Sequence, residues 1–345
     1  MKTVFSPVEL KHAPKNEIAD GQLRPAVEIP SRAEIVLRTV QERALGEVVE
    51  PLDFGSQPLH RIHAADYLAF MESFWDRWIA EGRTAEEAFP YVWPIRSLRA
   101  DPVPEHIDGL LGRYSMDAGT PIGPFTFEAA KASANAALTA AQLVKDGGEG
   151  SAFALCRPPG HHCGKDFFGG YCFLNNAAIA AQWLLDQGAH RIAILDVDYH
   201  HGNGTQAIFY DRPDVLFLSL HADPRHEYPH FLGHEDETGE KAGTGFTRNW
   251  PLPLGTGWET YSEALEEACR WLHVYKPDYL LVSLGMDCYR EDPISKFRFN
   301  SEDFTSLGQR LKRLGLPIVF LMEGGYAVDA LGTNCVNVLD GFKRA

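Results

Sequence analysis

The stretch that decides the fold reads Asp196-Val-Asp-Tyr-His-His-Gly-Asn-Gly204, and it follows an apolar run at 191–195 that is typical of a buried strand. Side chains alternate between the two faces of an extended segment, so Asp196, Asp198 and His200 are predicted to point the same way. Turn and capping residues at a strand end are the ordinary alternative. Two carboxylates beside a pair of histidines instead favour a metal site.

Length and composition predict one large α/β domain covering residues 1–345. Hydrophobic residues make up 45% of the chain, and no Ser/Gly-rich linker or internal repeat divides it. Neither a signal-peptide core nor an apolar run of membrane-spanning length is present, so we expect a cytoplasmic protein that contacts no membrane. The net charge of −15 argues against nucleic acid as a partner and favours a cationic ligand.

Strand-like and helix-like segments alternate along the chain, which predicts a mostly parallel sheet with helices on both faces. The segment at 85–125 contains many prolines and is predicted to be an irregular rim or dimer segment. Predicted strands lie at 3–5, 152–156, 192–195, 215–220, 279–284 and 318–322, and predicted helices at 31–46, 64–82, 127–145, 176–187, 260–275, 302–314 and 328–342, the first starting with a capping box at 31–34.

Polar clusters follow five of these strands, at the edge where open α/β sheets bind their ligands. We therefore expect the active site at the carboxyl ends of the strands. The clusters lie at 157–162, 196–201, 221, 285–287 and 323–326.

Asp198, His200 and Asp287 together offer two carboxylates and one imidazole, which leaves open positions for water and substrate. Zn²⁺ is the expected ion, although the oxygen ligands also suit Fe²⁺, Co²⁺ or Mn²⁺. Asp196 is expected to support a histidine by hydrogen bonding. The doublet His161-His162 suits general base and acid catalysis rather than metal binding.

Tyr326 follows two glycines and could donate a hydrogen bond to a developing oxyanion. A core tyrosine beside a turn is the simpler alternative.

Six motifs in this order run through the chain between residues 155 and 326. They are Leu155-Cys-Arg-Pro-Pro-Gly-His-His162, Phe168-Gly-Gly-Tyr-Cys-Phe-Leu-Asn-Asn176, Asp196 to Gly204, Leu218-Ser-Leu-His221, Gly285-Met-Asp287 and Glu323-Gly-Gly-Tyr326. Together they resemble the arginase/histone-deacetylase superfamily, and the opening of the chain and the 85–125 segment are similar to bacterial acetylpolyamine amidohydrolases. The resemblance implies a zinc-dependent amide hydrolase on a parallel-sheet α/β fold.

By this resemblance, Tyr171 and Tyr228 form aromatic walls around the acyl-bearing chain, and the Gly170 carbonyl receives the substrate amide N–H. The resemblance also implies a structural K⁺ or Na⁺, bound largely by backbone oxygens. The residues at that monovalent-cation site would be Asp196, Asp198, His200, Ser219 and Leu220.

Asn203 stands where many histone deacetylases have an aspartate behind the second histidine. An amide can orient His162 but cannot raise its pKa as a carboxylate would, so His162 is expected to act as the base. His161, backed by Asp196, is then the better candidate for the protonated histidine. Some mechanisms for the family give both roles to the second histidine, so the identity of the general acid stays open here.

The expected substrate is a small acetylated amine such as acetylputrescine, acetylcadaverine or a longer acetylpolyamine. The acidic residues Glu105, Asp108 and Asp117 of the 85–125 segment could face its distant cation, and the resemblance implies a homodimer in which this segment narrows the mouth. A deacetylase of acetyl-lysine in proteins is the main alternative. An arginase-like dinuclear manganese hydrolase lacks its D-x-H-x-D motif here, and a non-catalytic acyl-binding protein would be expected to lack Tyr326 or a ligand.

Overall fold

The computed structural model describes residues 1–95 and 97–344, and parallel β-strands form its centre. The strands are β1 (Lys2–Val4), β2 (Asn16–Ala19), β3 (Gln22–Pro25), β4 (Val48–Val49), β5 (Ser151–Ala154), β6 (Ile192–Asp196), β7 (Val215–Ala222), β8 (Thr247–Leu252), β9 (Tyr279–Leu284) and β10 (Ile318–Met322). Eight of these described strands form one sheet in the order β4-β1-β5-β10-β9-β6-β7-β8. Every neighbouring pair in it is parallel, whereas β2 and β3 form a separate antiparallel hairpin.

Helices cover both faces of the sheet. They are α1 (Ser31–Glu42), α2 (Gln57–His60), α3 (Ala65–Ala80), α4 (Ile107–Tyr114), α5 (Thr126–Lys145), α6 (Asn176–Asp186), α7 (Asn203–Phe209), α8 (Trp258–Tyr275), α9 (Ser301–Lys312) and α10 (Val328–Arg344). The predicted α/β architecture, with a parallel sheet between helices, is confirmed.

Alternation along each strand divides the core into two clusters, one on each face of the sheet. In β6, Ile192 and Ile194 pack with side chains of α3, α5 and α6, whereas Ala193 and Leu195 pack on the opposite side with α1, α8, α9 and α10. A strand that is buried on both faces has a nearly continuous apolar sequence. These strands could therefore be located from the sequence.

The start of α1 differs from the prediction. Pro30, in a helical conformation, precedes the helix as its N-cap, and no side chain caps the free backbone N–H groups. The predicted capping box at Ser31 is therefore wrong, because Ser31 already lies inside the first turn.

The 85–125 segment is less irregular than predicted, since it contains α4. Two glycines interrupt the helical pattern there, and at Gly112 a Cβ atom would collide with the backbone carbonyl of Val92. Close packing of two chain segments therefore explains the glycine at this helical position. The hairpin β2–β3 and strand β8 were also not predicted.

Within the part of the chain that the structure describes, no helix has both the length and the apolar character needed to cross a lipid bilayer.

Candidate active site

The polar clusters meet where β5, β10, β9 and β6 end side by side in the sheet. Asp198 and His200 follow β6, and Asp287 follows β9, the neighbouring strand. One potential ligand atom from each of these three buried side chains lies within 4.8 Å of the others. His200 Nδ1 is 3.4 Å from Asp198 Oδ1 and 3.1 Å from Asp287 Oδ2. The structure thus brings the three predicted ligand residues together.

Three of the four carboxylate oxygens in this group already accept hydrogen bonds from the backbone, which fixes the carboxylates. One of these donors is the N–H of His200, 2.9 Å from Asp198 Oδ1. The N–H of Gly324 donates to Asp198 Oδ2 at 2.8 Å, and the N–H of Tyr199 donates to Asp287 Oδ1 at 2.9 Å. A Cβ atom at position 324 would lie 2.7 Å or less from both carboxylates, so the Gly-Gly turn is needed for this close approach.

The electrostatics of this group fit a divalent cation. Burial would lower the pKa of His200, but the carboxylates of Asp198 and Asp287 outweigh it and raise the pKa to about 10. Burial and then the Asp198 carboxylate raise the pKa of Asp287 to about 7. A 2+ ion would relieve the repulsion between the two buried carboxylates, and three protein ligands would leave a position open, as catalytic metal sites require.

The two tandem histidines have different partners. His161 Nδ1 donates to Asp196 Oδ2 at 3.0 Å, and His162 Nδ1 donates to Asn203 Oδ1 at 2.7 Å. Since both Nδ1 atoms are donors, the Nε2 atom of each ring is left for other contacts, and that of His161 lies 3.8 Å from Asp198 Oδ1. Asp196 and Asn203 thus each contact one of the two histidines directly.

The different partners shift the two pKa values in opposite directions. Burial lowers the pKa of His161, but the carboxylates of Asp198 and Asp196 outweigh it and hold the pKa well above its usual value. Burial, followed by the neighbouring His161 and His200, holds the pKa of His162 well below its usual value. One histidine of the pair is thus suited to carry a proton and the other to accept one.

Glu323, which follows β10, connects the loop that carries the tandem histidines to strand β9. Its carboxylate accepts hydrogen bonds from the N–H groups of Gly160 (2.7 Å) and His161 (3.1 Å) and from the Ser283 hydroxyl (3.0 Å). Glu323 also lies within ligand distance of His161 and Cys172. Because its carboxylate already accepts three hydrogen bonds, Glu323 has a structural role and fixes the loop of His161 and His162 to the sheet.

Tyr326 is held by oppositely charged residues. Its N–H donates to Asp292 Oδ2 at 2.7 Å, while the Arg32 guanidinium lies 4.7 Å from its ring centroid. Arg32 also donates to the carbonyls of Glu323 at 2.6 Å and Gly325 at 2.7 Å. Neither Arg32 nor Asp292 was singled out in the sequence, because a single charged residue carries no local signal that it is buried.

Arg32 belongs to a buried charge network that reaches the N-terminal segment. Glu28 accepts from Arg32 Nη1 at 2.8 Å and from Arg157 Nη2 at 3.0 Å. Glu9 accepts from the Arg157 N–H at 2.9 Å through its carboxylate and from Arg157 Nη1 at 2.8 Å through its carbonyl. All four residues are at most 1% exposed, so each charge depends on its partners.

Two aromatic side chains, Tyr171 and Tyr228, lie beside Tyr326 and His162. The Tyr171 and Tyr326 rings are 5.6 Å apart, and the Tyr228 and His162 rings are 5.0 Å apart. Gly170 and Tyr171 both have positive φ angles, and a Cβ atom at position 170 would contact the His162 ring. This left-handed pair turns the backbone so that Gly170 passes against the histidine.

The three predicted rim acids lie in different environments. Asp117 contacts the walls, because its Oδ2 accepts from the Gly170 N–H at 2.6 Å and the Tyr228 hydroxyl at 2.8 Å. The structure does not bring Asp108 to the walls. Its carboxylate is paired with Arg83 at 2.7 Å. Glu105 is exposed, and its carbonyl accepts a hydrogen bond from Arg77.

Three of the five residues predicted for a monovalent cation lie on the neighbouring strands β6 and β7. Asp196 and Ser219 are direct neighbours across the two strands, and Leu220 follows. The Ser219 hydroxyl already contacts His221 Nδ1 at 2.8 Å. Backbone carbonyl groups are therefore what this stretch could offer to an ion. Asp198 and His200 follow directly after β6.

Comparisons with known proteins identify the family of this chain. The Histone deacetylase domain family matches residues 26–342. Acetylpolyamine amidohydrolase 1 of Pseudomonas aeruginosa is 55% identical, covering 100% of this chain and 99% of its own. Acetylpolyamine amidohydrolase of Mycoplana ramosa is 46% identical over 99% of both chains.

A crystal structure of acetylpolyamine aminohydrolase from Burkholderia pseudomallei superimposes with a TM-score of 0.93 at 39% identity, covering 100% of this chain and 99% of the other. The family and fold together imply an amidohydrolase that uses a divalent metal. The chain belongs to the histone deacetylase family, and over its full length it is similar to acetylpolyamine amidohydrolases.

Proposed function

We propose that this protein is a zinc-dependent deacetylase that removes the acetyl group from small acetylated amines. The observation that carries the proposal is the convergence of Asp198, His200 and Asp287 beside two histidines with opposite pKa shifts and a buried tyrosine. The full-length relatives named acetylpolyamine amidohydrolase support the substrate class.

Asp198, His200 and Asp287 would hold the metal ion. Zn²⁺ fits this ligand set best, although Fe²⁺, Co²⁺ or Mn²⁺ could also use it. When bound, the ion supplies Lewis-acid chemistry, polarising the acetyl carbonyl and making water more acidic. K⁺ or Na⁺ at the backbone of Asp196 and Ser219 would have a structural role.

Side chains of the protein carry out the proton transfers and stabilise the oxyanion. His162, neutral because of its low pKa, takes the proton of the attacking water through Nε2. Burial raises the pKa of Tyr326, so its hydroxyl stays protonated and donates to the developing oxyanion. His161, kept protonated by its carboxylate neighbours, gives a proton to the departing amine.

The walls and the charge of the protein favour a small amine over a protein substrate. Tyr171 and Tyr228 flank the reacting groups, so an unbranched methylene chain fits between them better than a peptide backbone. The net charge of −15 and the Asp117 carboxylate at the walls would attract a cation at the far end of that chain.

We therefore expect acetylputrescine or acetylcadaverine to be hydrolysed at least about tenfold more efficiently, by kcat/KM, than acetyl-lysine within a peptide, a difference of about 1.4 kcal/mol. Parallel assays on metal-loaded protein measure this ratio. The gap should narrow at high salt, since screening weakens charge attraction. Equal or better hydrolysis of the peptide would favour the acetyl-lysine alternative, and metal binding without any turnover would favour an acyl-binding protein.

We also propose that the protein is a homodimer formed through the 85–125 segment. Large apolar side chains are exposed along this segment, which is unusual unless a partner covers them. They are Tyr91 (68% exposed), Val92 (48%), Ile95 (59%), Leu98 (65%) and Val103 (57%).

Light scattering at micromolar concentration should give twice the mass of 38.4 kDa. Replacing Ile95 and Leu98 by serine should shift the protein to the monomer, because both lose apolar contacts in a shared interface. The same change at exposed Leu23 in β3 serves as the control. A wild-type monomer with full activity would contradict the dimer.

A further inference from the structure

The three tyrosines of the site are held in different ways. The hydroxyls of Tyr228 and Tyr171 each donate a hydrogen bond to a carboxylate, at 2.8 Å and 3.1 Å, so each wall is fixed at the tip of its side chain. Among the residues that the structure describes, the Tyr326 hydroxyl has no such partner. A hydroxyl that donates to an oxyanion has to stay free. Tyr326 must therefore be positioned through its ring and its backbone.

The backbone around Tyr326 has little regular structure of its own. Only five residues, 323–327, connect β10 to α10, and Tyr326 is the fourth of them. Two of the five are glycines, which leave a chain more conformational freedom than other residues do. The position of the tyrosine consequently depends on what the rest of the protein bonds to this turn.

Asp292 supplies the hydrogen bond at the tyrosine itself. Its Oδ2 accepts from the N–H of Tyr326 at 2.7 Å, and its Oδ1 accepts from the N–H of Ile294 at 3.1 Å. The side chain is only 7% exposed, so water competes little for these bonds. One buried carboxylate therefore joins the turn of Tyr326 to the segment that contains Asp292.

That segment also carries one of the three predicted metal ligands. Asp292 follows Asp287 by five residues, and the Ser295 hydroxyl donates to the Asp287 carbonyl, which closes 287–295 into a loop. A second bond to the turn comes from the N–H of Met286, which donates to the Gly324 carbonyl at 3.0 Å. The ligand segment thus fixes the turn at two points, on either side of Gly325.

We propose that Asp292 is a positioning residue that holds Tyr326 where its hydroxyl can donate to the oxyanion. The proposal rests on the deacetylase function given above and names a further residue on which its rate depends. Arg32 contacts the ring of Tyr326, whereas Asp292 holds its backbone N–H. Without Asp292 the turn could shift, and a displacement of about 1 Å in a reacting group costs up to about 10²-fold in rate.

Replacing Asp292 gives the first test. Asp292→Ala should lower kcat for acetylputrescine about 10- to 100-fold, with KM and metal content little changed. Asp292→Asn should lower kcat only about 3- to 10-fold, because its amide oxygen can still accept one of the two hydrogen bonds. Asp303→Ala is the matched control and should not change kcat. Asp303 also accepts from a backbone N–H, that of Asn300 at 2.7 Å, but it does so at the start of α9.

The same replacements in a Tyr326→Phe background separate positioning from general support of the site. If Asp292 acts through the Tyr326 hydroxyl, replacing it should cost less than about twofold once that hydroxyl is gone. Equal losses in both backgrounds, loss of metal from Asp292→Ala, or an unchanged kcat in the single variant would each overturn the proposal. If Asp292→Ala does not fold, Asp292→Asn carries the same comparison.

Crystal structures of the wild type and the Asp292 variants give a readout that does not depend on turnover. In the variants Tyr326 should be displaced by about 1 Å or more, while Asp198, His200 and Asp287 keep their places. An unmoved Tyr326 would overturn the proposal. Failure of the wild type to hydrolyse acetylated amines would instead contradict the deacetylase function, and this structural comparison would still decide whether Asp292 positions Tyr326.

Discussion

Asp287→Ala should lose its metal and reduce hydrolysis of acetylputrescine to background while the protein remains folded. Asp287 is one of only three side chains in the ligand group, and a catalytic site has no spare protein ligand. Burial and the Asp198 carboxylate raise the pKa of Asp287 to about 7. Ionisation of Asp287 therefore destabilises the folded protein when no metal is bound. Metal analysis after dialysis, together with an activity assay, measures both losses.

A surface aspartate provides the matched control for this variant. Asp214 pairs with Arg212 at 2.7 Å at the surface, so Asp214→Ala should keep both metal and activity. Thermal unfolding of the metal-free proteins tests folding separately, and Asp287→Ala should unfold no earlier than the wild type. Stoichiometric metal with near-normal turnover in Asp287→Ala would remove Asp287 from the ligand group.

Tyr326→Phe should lower kcat by about 10²- to 10³-fold, the usual effect of removing one donor from an oxyanion site. The ring keeps its contacts with Arg32 and Tyr171, so phenylalanine should fit without rearrangement. KM and metal content should change little, because the lost hydrogen bond forms only as charge develops. Steady-state kinetics with acetylputrescine separates kcat from KM.

Tyr275→Phe removes a hydroxyl from a peripheral tyrosine whose partner is the Pro213 carbonyl, and it should leave the kinetics unchanged. A loss of less than about fivefold in Tyr326→Phe would mean that this hydroxyl is not directed at the transition state.

The strands and the metal group could be predicted from the sequence because their signals are local. Strand β10 was predicted at its observed bounds, since an apolar run buried on both faces has no polar interruption. Asp196, Asp198 and His200 lie within five residues, and parallel strands end at one edge, so Asp287 could be added from another strand.

The residues that support the site could not be predicted, because their roles depend on contacts between distant segments. Arg32 reaches a turn almost 300 positions later, and Glu17 reaches Tyr171 from a hairpin that has no catalytic motif. The prediction that Asp108 faces the substrate also depended on a contact with a distant segment that the sequence does not reveal. Its acidic side chain suggested a free charge, but the fold pairs it with Arg83.

The buried network of Glu9, Glu28, Arg32 and Arg157 has a practical meaning for where this chain can be shortened. The family match begins at residue 26, which invites a construction that starts there. Such a cut would remove β1, which joins β4 to β5, and would leave Arg157 without Glu9. The first 25 residues are therefore an integral part of the fold that supports the site, and an added tag should extend from the first residue instead of replacing the segment.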